Sequence, residues 1–330
     1  MNEAHHGTGV SEPGAREGGE AAPRVSVVIP TRNRADYLRE ALCGIAAGEL
    51  QNFEVLVMDQ TDGDATECVV AGFDSRFHYR RMPRNGACPA RNLGAALARA
   101  EIVAFTDDDV VPKCDWLSRI VSSFDADPSL EFVFGQLKAP PYDGRQGWFP
   151  ETLLPPNIHE PGQRRKIACL GSGANMSARK SFLRRAGGFD EVLGPTDMYT
   201  INSDAALAYK AYRSAHWIAS AQVEVVHTNG FRPFPELRAL FDSYSYELGA
   251  NYARFVRRGD WRAARLFVLE QWEIIAGAVV AVVRLRRPRR LRSIPHYIRG
   301  FTAGLRLDPK IGHVDGDAFQ RMERERSLGQ

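Results

Sequence analysis

An α/β fold, a mostly parallel sheet flanked by helices with a helical C-terminal extension, is predicted by three observations. Short β-branched runs alternate with segments of helical period over the first 110 residues. The first, second and fourth of those runs end in polar clusters. The last hundred residues then change to long apolar and basic stretches that read as helices. Strand–helix alternation at this spacing implies right-handed crossovers and parallel pairing.

Taken in order, Val25-Ser-Val-Val-Ile29 is a buried strand closed by Pro30. Leu38, Leu42 and Ile45 follow at helical spacing, with Gly48 as the stop. Phe53 to Met58 is the second strand, Phe77 to Met82 the third, and Ile102 to Phe105 the fourth. Residues 89–100, rich in Ala and Arg, form the helix before that fourth strand. Residues 139–165 are Pro- and Gly-rich with scattered aromatics, the composition of a binding loop or lid. A short basic helix, a helix over residues 203–214 and a strand pair over residues 217–226 complete the expected domain.

The expected organisation is a disordered leader over residues 1–24, a domain over 25–230 and a helical extension over 231–330. The domain divides into halves over residues 25–112 and 113–230. The leader lacks an apolar core segment and does not read as a secretory signal. Five widely spaced cysteines without a CxxC argue against a disulfide framework or zinc site and fit a reducing cytoplasm. A net charge of +3 gives no case for nucleic acid as a partner. Residues 274–283 form an uninterrupted apolar run, too short for a bilayer span of about 20 residues. The arginine-rich segment Arg284 to Arg292 that follows suits a peripheral contact with an anionic membrane surface, a solvated basic face, or a subunit contact.

Ligands in such sheets bind beyond the carboxyl ends of the strands. Those ends carry Pro30-Thr-Arg-Asn33, Asp59-Gln60 and Asp107-Asp108-Asp109. Alternation along a strand end would aim Asp107 and Asp109 into one cavity. Two such carboxylates repel unless a cation lies between them, and Mg²⁺ or Mn²⁺ accepts this oxygen set together with substrate phosphates. A metal so held neutralises charge on a departing diphosphate.

Five segments in order resemble the GT-A fold glycosyltransferases of family 2, over roughly residues 25–227: residues 25–34, Glu54-Val-Leu-Val-Met-Asp59, Gly86 with Ala90-Arg-Asn-Leu-Gly94, Phe105-Thr-Asp-Asp-Asp109, and Gly187-Gly-Phe-Asp-Glu191. The resemblance implies transfer of a sugar from a nucleotide-diphosphate sugar to an acceptor hydroxyl, with inversion and with Mg²⁺ or Mn²⁺. It implies that Pro30, Thr31, Arg32, Asp59 and Gln60 line the nucleoside pocket and that Arg91 sits near base or diphosphate. Asp107, Asp108 and Asp109 would hold ribose and metal, and His227 would stand near them. Gln60 replaces an acidic residue common in relatives; its oxygen could still accept from a base N–H.

The general base implied is Asp204, in Ser203-Asp204-Ala205-Ala206-Leu207, where Ser203 and Ala206 replace acidic neighbours seen in relatives. One carboxylate within reach of the hydroxyl suffices for that role. Gly187-Gly188 reads as a backbone needing positive φ or close approach. Asp190 and Trp148 are candidate acceptor contacts. No QxxRW signature is evident in the second half, which favours single addition over polymerisation. The acceptor class stays open among glycans, lipid-linked saccharides and small molecules. Competing readings are a GT-A-like nucleotide-sugar-binding protein without turnover and a nucleotidyltransferase; the latter would want a Gly-rich basic phosphate loop that residues 30–33 lack.

Overall fold

The computed structural model describes residues 22–83, 86–153, 171–192, 203–312 and 314–328. Most of the expected leader, the second half of the 139–165 loop and Cys169 lie outside them. Residues 22–24, expected in the leader, join the domain: Arg24 donates its backbone N–H to Asn52 and pairs with Asp125 at 2.7 Å.

The main sheet is built from β1 (Val25–Thr31), β2 (Phe53–Asp59), β3 (Phe77–Arg81), β4 (Ile102–Phe105), β5 (Val110–Pro112), β6 (Phe132–Lys138), β8 (Met176–Arg179) and β9 (Trp217–His227). Its order is β3-β2-β1-β4-β8-β6-β9-β5. Pairings β1–β2, β2–β3, β1–β4 and β6–β9 are parallel; β8 is antiparallel to both its neighbours, and β5 to β9. The strand pair expected over residues 217–226 is one eleven-residue strand. Its register against β6 shifts at Gly135/Gln136, which absorbs the irregularity without a turn. A small second sheet pairs β7 (Gly147–Trp148) with β10 (Arg232–Pro233).

Both faces of β1 and β2 are buried, which explains their nearly continuous apolar runs. Val25, Val27 and Ile29 enter one core with Leu38, Leu42 and Ile45 of α1 (Ala35–Ala46), Val69 of α2 (Ala65–Val70) and Trp116 of α4 (Trp116–Ala126). Val28 points the other way, to Ala90 and Ala95 of α3 (Ala87–Leu97), joining Phe182 of α5 (Lys180–Ala186) and Leu207 of α6 (Ser203–Ser214). Each such aliphatic or aromatic side chain contributes about 1.5–3 kcal/mol by leaving water. Gly94 lets α3 lie on the sheet, since a Cβ there would stand 2.4 Å from Val28.

The helices expected as an extension are part of the same packed body. α10 (Gly316–Leu328) places Phe319, fully buried, in the second core. α7 (Phe234–Arg257), α8 (Trp261–Val283) and α9 (Ser293–Arg306) build a third core in which Leu248, Tyr252 and Tyr297 meet Ala205 and Tyr209 of α6. α7 and α9 touch backbone to backbone: a Cβ on Gly300 would fall 1.7 Å from the Tyr246 carbonyl. α8 has 23 residues and, by length and composition alone, could cross a bilayer, unlike the shorter apolar run counted in the sequence. Its middle is tied to the protein instead. Buried Glu270 accepts from Tyr252 at 2.7 Å and from Tyr297 at 3.0 Å.

Candidate active site

Parallel pairing brings the carboxyl ends of β1, β2 and β4 to one edge, with Thr31 opposite Asp59 and Val28 opposite Phe105. The three polar clusters therefore converge as expected. The alternation argument for Asp107 and Asp109 does not hold, because β4 ends at Phe105 and Asp108-Asp109 lie in a turn. Asp107 turns to Arg91, at 2.5 Å. Asp108 accepts from the Thr31 hydroxyl at 2.8 Å and from Arg34 at 3.2 Å. Asp109 accepts from the same guanidinium at 3.0 Å and lies 3.6 Å from His227 Nε2.

His227 reaches this position because β5 and β9 run antiparallel with Val110 opposite His227, one residue beyond Asp109. Thr228 locks the arrangement by donating both its backbone N–H and its hydroxyl to the Asp109 carbonyl. Burial and the adjacent Asp109 push the Asp108 carboxyl up to about 7, against the pull of Arg34. For His227, burial opposes the charged form, but the Asp109 carboxylate outweighs it and raises the pKa. The motif over residues 25–34 gives Arg34 no role of its own. A basic residue just past the first strand's polar cluster was the available signal, but its pairing needs the distance between two loops.

The nucleoside residues divide. Thr31 is buried against Asp108, Pro30 is half-buried and Arg32 is exposed. Asp59 is fully buried and accepts from Thr61 N–H and Tyr79 O–H, both at 2.9 Å. The Gln60 oxygen, expected to be available to a base, accepts from Gly86 N–H at 2.8 Å while its amide donates to Gly86 O at 3.1 Å. Gln60 thereby pins the loop that opens α3, with Gly86 at φ 95°. Arg91, buried on α3, also lies over the Phe189 ring at 5.5 Å.

Asp204 stands at the start of α6 and accepts from Gly173 N–H at 2.5 Å. Burial pushes its carboxyl up, while that N–H and Arg91 pull it down. Arg91, hydrogen-bonded to Asp107, is also near enough to Asp204 for its charge to stabilise that carboxylate, so its guanidinium stands between the acidic turn and Asp204 electrostatically. Asp204 and half-buried Trp148 line a cavity of about 970 Å³ between the domain and the C-terminal helices. Its opposite wall carries Phe234, Tyr244, Arg287 and Arg290. Phe149 does not enter it; it is buried against Tyr142, Phe231 and His227 and anchors the loop.

Asp190, expected at the acceptor, is placed elsewhere. Its side chain and that of Arg254 are each 1% exposed and form a two-bond pair at 2.9 and 3.0 Å, with Arg258 adding 2.7 Å. It fastens the Gly187-Gly188 turn to α7 rather than meeting a ligand. Both glycines have positive φ, 75° and 61°, as expected. Asn92 of α3 closes the turn from the other side, accepting from Phe189 N–H and donating to Phe189 O and Glu191.

Among the described residues no group of three or more His, Cys, Asp or Glu side chains forms a metal cage. What is present is the pair Asp109–His227, each side chain 12% exposed, beside Asp108, with the Arg34 guanidinium as a stand-in cation between the two carboxylates. A hard carboxylate with one imidazole is a donor set that Mn²⁺ or Mg²⁺ accepts, since these ions take few protein ligands where substrate phosphates complete the shell.

Residues 26–187 match the family described as glycosyl transferase family 2. Validoxylamine A glucosyltransferase of Streptomyces hygroscopicus subsp. jinggangensis is 32% identical over 119 residues, 34% of this chain and 28% of that protein. Glycosyltransferase AglE of Haloferax volcanii is 24% identical over 222 residues, 65% of this chain and 69% of that protein. The pre-mycofactocin glycosyltransferase of Mycobacterium tuberculosis is 29% identical over 181 residues, 51% of this chain and 36% of that protein. The chain thus spans well under half of the first and third of these relatives. Among solved structures, the mannosyltransferase PcManGT from Pyrobaculum calidifontis, in complex with GDP-Man and Mn²⁺, aligns with TM-score 0.58 at 21% identity, covering 86% of this chain and 88% of that one. S. aureus TarS 1–349 in complex with UDP-GlcNAc aligns with TM-score 0.58 at 17% identity, covering 93% and 92%. These likenesses give the chain the GT-A fold.

Proposed function

The chain belongs to glycosyl transferase family 2, and from that premise we propose that it moves one sugar from a nucleotide-diphosphate sugar to an acceptor hydroxyl by a single inverting displacement. The observation that carries the reading is the link through Arg91. One guanidinium is bonded to Asp107 of the acidic turn and attracts the charge of Asp204 at the wall of the 970 Å³ cavity, which supports placing donor-side and acceptor-side carboxylates next to one another.

The division of labour follows from these positions. Thr31 and the loop pinned by Gln60 and Gly86 shape the nucleoside side. Arg34 and Arg91 offer guanidinium N–H groups, suited to phosphate oxygens. A divalent cation held by Asp109 and His227, with Asp107 and Asp108 beside them, would neutralise charge on the leaving diphosphate. Asp204 takes the proton from the acceptor hydroxyl as that oxygen bonds to the anomeric carbon. The bond to the diphosphate breaks as it leaves with the electron pair. A raised carboxyl pKa suits a base that must hold a proton transiently near neutral pH. Trp148 supplies a flat apolar face for a sugar ring on the acceptor side.

The test begins with thermal-shift selection from a panel of nucleotide sugars, each with and without Mn²⁺. Release of free nucleoside diphosphate from the selected donor is then followed. Metal-dependent release is expected. A donor that binds tightly but is never cleaved, with or without acceptor, would identify a binding protein instead.

A further inference from the structure

Most of the C-terminal half of α8 is left uncovered by the described residues. Ile274 and Ala278 are buried, but Trp272, Ile275, Val279, Val280, Val282 and Val283 are exposed, Val283 at 77%. Leu285, just past the helix end, is 97% exposed and has φ 54°. That left-handed position usually goes to glycine, because a side chain there is strained. A strained leucine entirely in water has no partner among the described residues that accounts for it. Isolated apolar residues on a surface are ordinary, but a contiguous patch of this kind marks an interaction surface.

Charge identifies the partner. Residues 284–292 contain six arginines and no acidic residue. Arg284, Arg286, Arg287, Arg290 and Arg292 are exposed around the apolar tip. A symmetric contact with a second copy would set this cluster against itself, since a two-fold interface matches one patch with the same patch. An anionic bilayer meets both features, taking apolar side chains at the acyl boundary and pairing arginines with phosphates. Glu270, bonded to Tyr252 and Tyr297, and Ala263, buried in the third core, hold that part of α8 to the protein and limit entry to the free tip.

The same segment walls the cavity. Arg287, Arg290 and Arg292 face it together with Phe234, Leu237 and Phe241, while Asp204 lines it from α6. Glu151 and Asp242 are its other acidic residues among those described, and Asp242 lies 3.6 Å from Arg292. Apolar surface joined to a guanidinium cluster is the complement of an amphiphile with a phosphate head group.

We infer that the tip of α8 and the arginines after it dock the protein on an anionic bilayer, and that the cavity draws its acceptor from there as an amphiphile with an anionic head. The acceptor half of this inference rests on the glycosyl-transfer reading; the docking half does not.

The test is flotation of the full chain with phosphatidylcholine vesicles, with and without 30 mol% phosphatidylglycerol. Binding to the anionic vesicles alone is expected, and 0.5 M salt should release it. Val279→Asp with Val283→Asp should abolish binding. Arg284→Gln with Arg286→Gln should weaken it about 30-fold, at ~1 kcal/mol per arginine. None of these four residues lines the cavity, so donor hydrolysis should stay at the wild-type rate. Equal binding to both vesicle types, or none to either, overturns the docking, as does a dimer that these variants convert to monomer. For the acceptor half, dodecyl phosphate below its micelle concentration is titrated by calorimetry, and Arg290→Gln should weaken it at least tenfold. Unchanged affinity overturns that half. Vesicle binding without donor hydrolysis would instead remove the glycosyl-transfer reading and leave the docking standing.

Discussion

Replacing Asp190 by Asn tests the most consequential reassignment in the structure. The carboxylate forms two bonds to buried Arg254 and one to Arg258, whose side chain is 16% exposed. Asn preserves the shape and removes the charge, leaving Arg254 ionised with no carboxylate partner in an almost waterless site. Breaking a buried pair from one side costs about 3–5 kcal/mol. With ~2.1 cal/mol/K of unfolding entropy per residue, 330 residues give about 0.7 kcal/mol/K, so Tm should fall by about 4–7 °C. Arg254→Met added to Asp190→Asn should recover part of that loss, because the fully buried charge is then gone and only the partly exposed Arg258 lacks its carboxylate. Calorimetric melting reads the shift, and donor affinity measured at 15 °C should match wild type. A Tm within 1 °C of wild type would refute the anchoring role. So would an intact Tm with a selective rise in acceptor KM, which would restore the acceptor role expected from the sequence.

Three further outcomes follow from the site and its surroundings. Asp204→Asn should keep donor binding and lower turnover about 10²–10⁴-fold, the usual contribution of a general base; turnover within tenfold of wild type would move the base elsewhere. Asp109→Ala should remove the Mn²⁺-dependent part of donor affinity in calorimetry, and equal affinity with and without metal in both proteins would sink the assignment. Lys210, whose ammonium donates to Gly188 O at 2.7 Å, has its pKa pushed down to about 8 by burial, from an ordinary 10.5. Between those values the unfolded chain holds more protons, so this penalty, on the order of 3 kcal/mol below pH 8, is relieved as pH rises toward 10.5. Lys210→Met should abolish that alkaline gain in denaturant midpoint; an identical pH slope in wild type and variant would contradict it.

Much of the fold was legible because period and punctuation are local. The runs before Pro30, Asp59 and Thr106 are apolar on both faces, which only a covered parallel sheet demands, and their polar ends had to converge once the strands ran parallel. The positive φ of Gly187 and Gly188 was legible for the same reason, since two glycines in a row mark a backbone other residues resist. Asp204 at the mouth of a helix, and the chemistry of an acidic turn, were likewise available from residue type and order.

What tertiary structure decided was partnership across long sequence gaps. Nothing local pairs Arg34 with Asp108 and Asp109, 74 and 75 residues away, or brings His227 beside Asp109 through an antiparallel ladder. Asp107 and Asp109 were assigned one direction by strand alternation, and the turn that replaces the strand sent them to different partners. Asp190 was a candidate acceptor contact through the Gly187-Gly-Phe-Asp-Glu191 match; Arg254 of α7 and Arg258 just past its end, more than 60 residues on, bury it. The sequence alone thus determined the elements, their sheet edge and the kinds of chemistry gathered there. Which charge neutralises which was decided only by packing, because electrostatic pairing depends on distance in space and a chain carries that information only once it is folded.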